Sequence, residues 1–366
     1  MKILITGGHL SPALSIIDEL TTKTDIIFVG RKFSSLFDRS ISLEFQEITR
    51  RKIPFFNLEA GRLTRILSFR SLLHILFFPF GFIMAYIILN KVHPDRVLSF
   101  GGYIGFPVCF VSWLMRIPVV IHEQTIRPGL ANRIIALFAK KICISFPESS
   151  VFFPAKKTVL TGNPVKKNIF SYIKKSFYLK KWKPVLYLTG GTLGSHSLNH
   201  HIKNILPGLL SRFQVIHQTG NVREFGDFQT FVNIRTNFPL HIKESYIVRE
   251  HFFEDEIGYV YSQTDIVIGR SGANTITELI ALKIPSVLVP LPWSSNQEQL
   301  LQAKFLKTAG VAEIFDQSHS SDELLLLVEK IYNNLTVYKS NFTKFGAFTH
   351  SHAASTIAAI VLQETR

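Results

Sequence analysis

Two apolar runs of strand length, each closed by a glycine pair and each opening a helical pattern, stand about half a chain apart: KILITGGHLSPALSII at the amino end and PVLYLTGGTLGSHSLN after residue 183. Further short apolar blocks alternate with segments of helical periodicity throughout. In the first half the pattern predicts strands over 3–6, 25–30, 96–100, 118–122 and 141–145. In the second half it predicts them over 185–189, 213–218, 246–248, 265–268 and 286–290. Short apolar strands alternating with helices build a parallel sheet buried on both faces. Two such series predict an α/β chain of two doubly wound, Rossmann-like domains facing a cleft. The expected divisions are 1–162, 163–345 and a closing helical segment 346–366.

One stretch departs from this rhythm. FRSLLHILFFPFGFIMAYIILNK, residues 69–91, is apolar through most of its length and is flanked by Arg62, Arg65, Arg70 and Lys91. A bilayer span needs about 20 apolar residues, but His74, Pro79 and Gly81 interrupt this one, and a span here would divide the first sheet. A helical pair lying partly against the sheet, with an aromatic face toward a membrane surface and basic residues above it, fits the pattern. A wholly internal core helix fits it as well.

The 366 residues, 46% hydrophobic, suffice for two cores. Lys and Arg number 41 against 26 acids, a net charge of +15 that favours polyanionic partners: anionic lipid, nucleic acid or pyrophosphate. Cys109 and Cys143 lie in apolar stretches with no metal or redox spacing, and no hydrophobic leader precedes the first strand, so a reducing, cytoplasmic setting is expected. Residues 160–184 carry seven lysines and no acid. They read as a linker between domains, or as a solvated face.

Four loops at predicted carboxyl ends of strands hold the candidate chemistry, because ligands of open α/β sheets collect there. The first is Thr6, Gly7, Gly8 and His9, before a helix opened by Ser11 and Pro12. His9 is either a base or hydroxyl-orienting group, or a helix cap. The second is SFGGYIG, residues 99–105, with Tyr103; the third runs from His122 through Glu123, Gln124 and Thr125 to Asn132. Glu123 is a candidate base, or a buried acid holding neighbouring amides, and spacing does not decide between them. The fourth is GRSGANTITE, residues 269–278, where a small-residue turn opens a helix with Glu278 one turn in. Amides at such a start suit a pyrophosphate, and the carboxylate suits ribose hydroxyls; a cap built on Ser271 or Asn274 is the plainer alternative. No Asp-x-Asp triplet, P-loop or zinc spacing is present, so neither a metal nor another cofactor is expected.

In this order the blocks TGGHLSPAL, SFGGYIGFP, IPVVIHEQ with GLAN, TGNPV, GGTLGS, RSGANTITE and IPSVLVPLP resemble the MurG-type family of UDP-N-acetylglucosamine transferases acting on the lipid-linked peptidoglycan precursor. The resemblance covers nearly the whole chain. It implies a glycosyltransferase B fold, UDP-N-acetylglucosamine on the second domain, a polyprenyl-pyrophosphate-linked acceptor at the first, and a final helix returning to the first domain. It also implies that uracil is read near Phe253 and Glu254, ribose by Glu278, phosphates and sugar by Thr192 and Ala273, Asn274 and Thr275, and sugar hydroxyls by Gln299. His9 then lies beside the reacting centre, with Thr6, Gly7, Gly8, Tyr103, Thr125 and Lys166 as further substrate contacts.

Four positions depart from the family pattern: Leu4 and Ile5 replace two glycines, Thr125 an asparagine, and Lys166 an arginine. Lysine keeps the charge but loses the bidentate fork. The expected activity is inverting transfer of N-acetylglucosamine to the muramyl sugar at the cytoplasmic face of a membrane, docked through residues 62–91, with no nucleic acid involved. A related lipid glycosyltransferase of other product, or a non-catalytic UDP-sugar-binding protein that docks at the membrane, are the alternatives.

Overall fold

Seven strands of the first half form one fully parallel sheet: β1 (Lys2–Thr6), β2 (Asp25–Gly30), β3 (Phe55–Asn57), β4 (Arg96–Ser99), β5 (Val119–Glu123), β6 (Lys141–Ile144) and β7 (Thr158–Leu160), in the order β3-β2-β1-β4-β5-β6-β7. The second half builds a six-stranded parallel sheet from β8 (Val185–Thr189), β9 (Gln214–Gln218), β10 (Tyr246–Arg249), β11 (Ile266–Gly269), β12 (Ser286–Leu288) and β13 (Ala312–Ile314), ordered β10-β9-β8-β11-β12-β13. Both orders reverse direction beside their first strand, the switch point at which doubly wound sheets bind ligands. The computed structural model describes residues 1–21, 23–33, 41–59, 69–180, 182–191, 193–220, 223–346 and 352–363, with backbone alone for residues 69–78, Arg223 and Ser295. The chain divides into two compact units, Met1–Lys166 with His350–Arg366, and Lys167–Thr349.

Each strand's period of two fills two cores at once. In the first unit Ile3, Ile5, Leu98 and Val120 face the helix Leu10–Leu20 and the last helix, Ala353–Gln363, through Ile357 and Val361. Leu4, Val97, Val119 and Ile121 face the opposite side, against Ala85, Ile88 and Leu89. In the second unit Leu186, Leu188, Ile266 and Ile268 meet Leu198, Ile202 and Leu209 of the helix His196–Arg212.

The ten strands expected from the sequence all form, within one or two residues. Those missed, β3, β7 and β13, are three-residue edge strands. The apolar stretch forms one helix, Phe69–Val92, rather than a helical pair. Pro79 costs it roughly 3 kcal/mol, which burial of Ala85, Ile88, Leu89 and Val92 outweighs at roughly 2 kcal/mol for each large side chain. Residues 60–68, with Arg62 and Arg65, lie outside the described residues. The lysine-rich segment is no free linker: from Lys167 onward it packs on the second unit, with Ile169 and Leu179 buried.

Candidate active site

In the first unit the carboxyl ends of β1, β4 and β5 lie side by side, and the loops leaving them are cross-bonded. Thr6 Oγ1 donates to Ser99 Oγ at 2.8 Å, joining β1 to β4 beneath the first glycine pair. Gly7 N–H donates to Val29 O. The carboxylate of Glu44, from the helix Leu43–Arg50, accepts from the amides of Arg31 and Gly8. Burial raises the Glu44 pKa against those bonds and the Arg31 charge. The Arg31 guanidinium lies 5.3 Å from the ring centre of Tyr103.

Gln124, just past β5, places its Nε2 2.7 Å from His9 Nδ1. Burial of the imidazole lowers its pKa to about 4, so the ring is neutral at pH 7. A neutral imidazole donates from one nitrogen and accepts on the other. With the Gln124 amide nitrogen donating to Nδ1, Nε2 carries the proton. Among the described residues Gln124 Oε1 has no hydrogen-bond partner, so turning the amide over breaks no bond to that oxygen and leaves His9 Nε2 as the acceptor.

Glu123 is enclosed. Oε1 accepts from Thr125 N at 2.9 Å and Thr125 Oγ1 at 2.7 Å, Oε2 from Asn132 Nδ2 at 2.9 Å, and the Gly129 amide adds a further bond. Burial raises its pKa against these four donors. Its carboxylate ties the end of β5 to the helix Leu130–Ile135, an arrangement that holds a loop rather than offers a base. Thr125 is likewise turned inward, with Oγ1 also 2.8 Å from Arg127 O. Lys166 ends the first segment of the first unit, Met1–Lys166.

In the second unit the loops after β8, β9, β10 and β11 converge. The glycine loop after β8 lies on the turn after β9: a Cβ on Gly194 would sit 2.2 Å from Thr219 O, and Gly194 and Gly220 both have positive φ, 85° and 90°. Only glycine permits so close a backbone approach. Thr192, within this loop, lies outside the described residues. Arg270 cross-braces it, Nη2 donating to Ser195 Oγ and Ser197 Oγ and Nη1 to Val289 O and Gln317 Oε1. Gln218 does the same between strands, with Nε2 donating to Gly191 O and Oε1 accepting from Phe252 N.

After β11, Gly272 opens the helix Ala273–Leu282 and, lacking a side chain, caps none of its amides; Ala273, Asn274 and Thr275 form the first turn, the end of a helix that favours an anion. One turn on, Glu278 Oε2 accepts from Tyr261 Oη at 2.7 Å. Gln299 Oε1 accepts from Leu291 N at 3.0 Å, which leaves its Nε2 as the amide's other polar group. Phe253 exposes its ring, while its N–H donates to Glu256 Oε2 and Glu254 O accepts from Asn168 Nδ2.

Glu44, Gln218, Tyr261 and Arg270 escape sequence reasoning. The first three carry no local signal, since their partners lie on other elements. Arg270 had one: a lone cation among small residues in a turn.

Two doubly wound units with loops gathered at the strand ends are also the architecture of the crystal structure of MurG from Acinetobacter baumannii, which matches the chain over 100% of both, with TM-score 0.70 at 22% identity. The chain has the glycosyltransferase B fold. The Glycosyltransferase family 28 N-terminal domain matches residues 6–144 and the C-terminal domain residues 185–357. An enzyme of Natranaerobius thermophilus named UDP-N-acetylglucosamine–N-acetylmuramyl-(pentapeptide) pyrophosphoryl-undecaprenol N-acetylglucosamine transferase is 32% identical over 351 residues, covering 91% of this chain and 92% of the relative. Its namesake from Clostridium botulinum is 32% identical over 359 residues, 94% of each. The chain belongs to glycosyltransferase family 28.

Proposed function

We propose that the protein transfers N-acetylglucosamine from UDP-N-acetylglucosamine to the muramyl sugar of a polyprenyl-pyrophosphate-linked peptidoglycan precursor, with inversion at the anomeric carbon. The acceptor hydroxyl oxygen bonds to C1, the C1–phosphate oxygen bond breaks, UDP leaves with that electron pair, and the hydroxyl proton passes to His9 Nε2. Gln124, its amide oxygen turned to His9 Nδ1–H, holds that tautomer. Helix amides at Ala273, Asn274 and Thr275, with Thr192 and Lys166, balance the diphosphate charge. Glu278 takes the ribose, the segment at Phe253 and Glu254 the base, and Gln299 Nε2 the sugar hydroxyls. The glycine loop at Thr6, Gly7 and Gly8, with Tyr103, serves the acceptor, and Glu123 and Thr125 shape the loop beside it.

The acceptor's lipid calls for a membrane surface, and Phe80, Ile83, Tyr86 and Ile87 expose their side chains on the helix Phe69–Val92. Among the described residues no helix is long and apolar enough to cross a membrane. Peripheral docking at the cytoplasmic face through residues 62–91, with the net positive charge serving anionic lipid rather than nucleic acid, follows from this reading. The observation that carries the donor assignment is Glu278, held by Tyr261 one turn into an uncapped helix. The test is UDP release from UDP-N-acetylglucosamine, with UDP-glucose and UDP-galactose as rivals, with and without lipid-linked muramyl acceptor in detergent. Acceptor-dependent release from the first donor alone is expected; preference for another donor, or none, overturns the assignment.

A further inference from the structure

Beyond the helix Phe69–Val92, a second surface has the composition of a membrane foothold, and it belongs to the other unit. The described residues of 167–183, all but Lys181, form a strap on the second unit with inward and outward sides of different character. Inward, Ile169 and Leu179 are buried, and Phe177 packs against Phe252 and Tyr259 with ring centres 5.9 and 5.0 Å away. The amides of Ile173 and Lys174 both donate to Asp255 O, which fixes the strap's centre to the loop beneath. Outward, Ile173 is 92% exposed, Tyr178 76% and Trp182 56%, and Phe170 and Tyr172 are exposed beside them.

Exposed isoleucine, tyrosine and tryptophan this close in sequence exceed the scattered apolar residues of an ordinary surface. Lysines 174, 175, 180 and 183 alternate with them, and the strap contains no acid. The loop beneath carries three acids: Glu256 is buried and paired with Lys174 at 3.3 Å, Asp255 is half-buried, and Glu254 is exposed, so the lysines 174, 175, 180 and 183 still outnumber them. Lys183 Nζ lies 4.5 Å from the Trp182 ring centre, and Lys175 Nζ lies 6.0 Å from that of Tyr172. Amphipathic aromatics interleaved with cations match the boundary of an anionic bilayer, where rings enter the headgroup layer and ammonium groups meet lipid phosphate. A rigid protein partner would match a shaped, less charged patch, since interface cores are depleted in lysine.

We propose that the strap 167–183 docks the second unit on an anionic lipid surface, independently of the helix Phe69–Val92.

The experiment uses the full chain with Trp113 and Trp293 changed to Phe, so that Trp182 alone reports. Vesicles of phosphatidylcholine with phosphatidylglycerol are compared with phosphatidylcholine alone. A blue shift of Trp182 emission and quenching by brominated lipid are expected on the anionic vesicles only. In sedimentation, Ile173→Ser, Tyr178→Ser and Trp182→Ser together should lower anionic-vesicle affinity at least tenfold. Lys175→Gln and Lys180→Gln should each lower it by about fivefold, and less at high salt. All these side chains are exposed, so the thermal midpoint serves as the folding control. Unshifted Trp182 emission at lipid concentrations that pellet the chain, or unchanged affinity of the triple variant, overturns the proposal. Strap-dependent cross-linking to a protein without vesicle dependence overturns it in favour of a protein partner. UDP release from a detergent-soluble acceptor by the same variants is read separately, so failure of the strap and failure of the transferase reading are distinguishable.

Discussion

Two side chains separate what the residue scale can and cannot reveal. Glu278 was legible because an acid one turn into a glycine-opened helix is a local pattern, whereas Tyr261, its hydrogen-bond partner, sits in another helix and carries no local mark. Burial and the nearby Glu278 charge push the Tyr261 pKa well above its ordinary value, so the phenol remains a donor throughout the working range. Tyr261→Phe should therefore leave Glu278 present but less firmly aimed. The expected outcome is a KM for UDP-N-acetylglucosamine raised about tenfold, the scale of one hydrogen bond to a charged group, with kcat within about twofold. Glu278→Ala should abolish measurable donor binding by calorimetry. His9 gives a second test of sign. Burial disfavours the charged ring, so as a base it is fully deprotonated above about pH 5 and is lost only as pH falls through about 4. kcat/KM should then show no His9-dependent break between pH 5.5 and 7.5. A break near 6.5 that disappears in His9→Asn would show that the ring titrates as if in water.

At the scale of elements, the central strands were readable and the sheet edges were not. A strand such as β8, buried along its whole length, reads as an unbroken apolar run. β3 is only half-buried, and three residues are too few to display a period. Of the two readings of the lysine-rich segment, the solvated face fits its exposed lysines and the free linker does not, for a related reason: composition reports charge, but the contacts that fix the strap are single residues far along the chain. Gly258 is one of them. It lies in the helix Ile257–Gln263, where a Cβ would come 2.1 Å from Ser171 O and 2.3 Å from Asn168 O, both backbone atoms of the strap. Alanine is ordinarily the better helix former by about 1 kcal/mol. Here the clash forces the strap outward, and overpacking of this kind costs about 1–3 kcal/mol. Gly258→Ala should lower the urea midpoint with an unchanged m-value, and a stabilised variant would show that strap and helix do not meet this closely.

Over the whole molecule, the two units hold different reserves against acid. His217, buried in the second unit, places Nδ1 3.0 Å from Tyr246 Oη and Nε2 3.1 Å from Asn199 Oδ1, and burial lowers its pKa to about 3. Unfolded, it titrates near 6.5. Between those values the unfolded chain binds a proton that the folded unit does not, so stability falls as pH falls, by about 1.4 kcal/mol per pH unit once the unfolded histidine is charged. The carboxylates shifted in this unit, Glu313 and Asp316, are lowered and act in the same direction at lower pH. Among the described residues the first unit holds two such histidines, His9 at about 4 and His122 at about 3, but also Glu44 and Glu123, whose pKa values burial raises. Those acids take up protons in the folded state before the unfolded one, which works against the histidines. Acidification from pH 7 to 5 should therefore weaken amide protection in β8, β9 and β10, with only the exposed His319, whose pKa the Glu323 hydrogen bond raises, working against the loss, while loss in β1, β4 and β5 is offset by two buried acids. Hydrogen exchange, corrected for the intrinsic rate at each pH, reads this unit by unit. Protection that falls further in the first sheet than in the second would mean that its buried carboxylates stay charged and leave its two histidines unopposed.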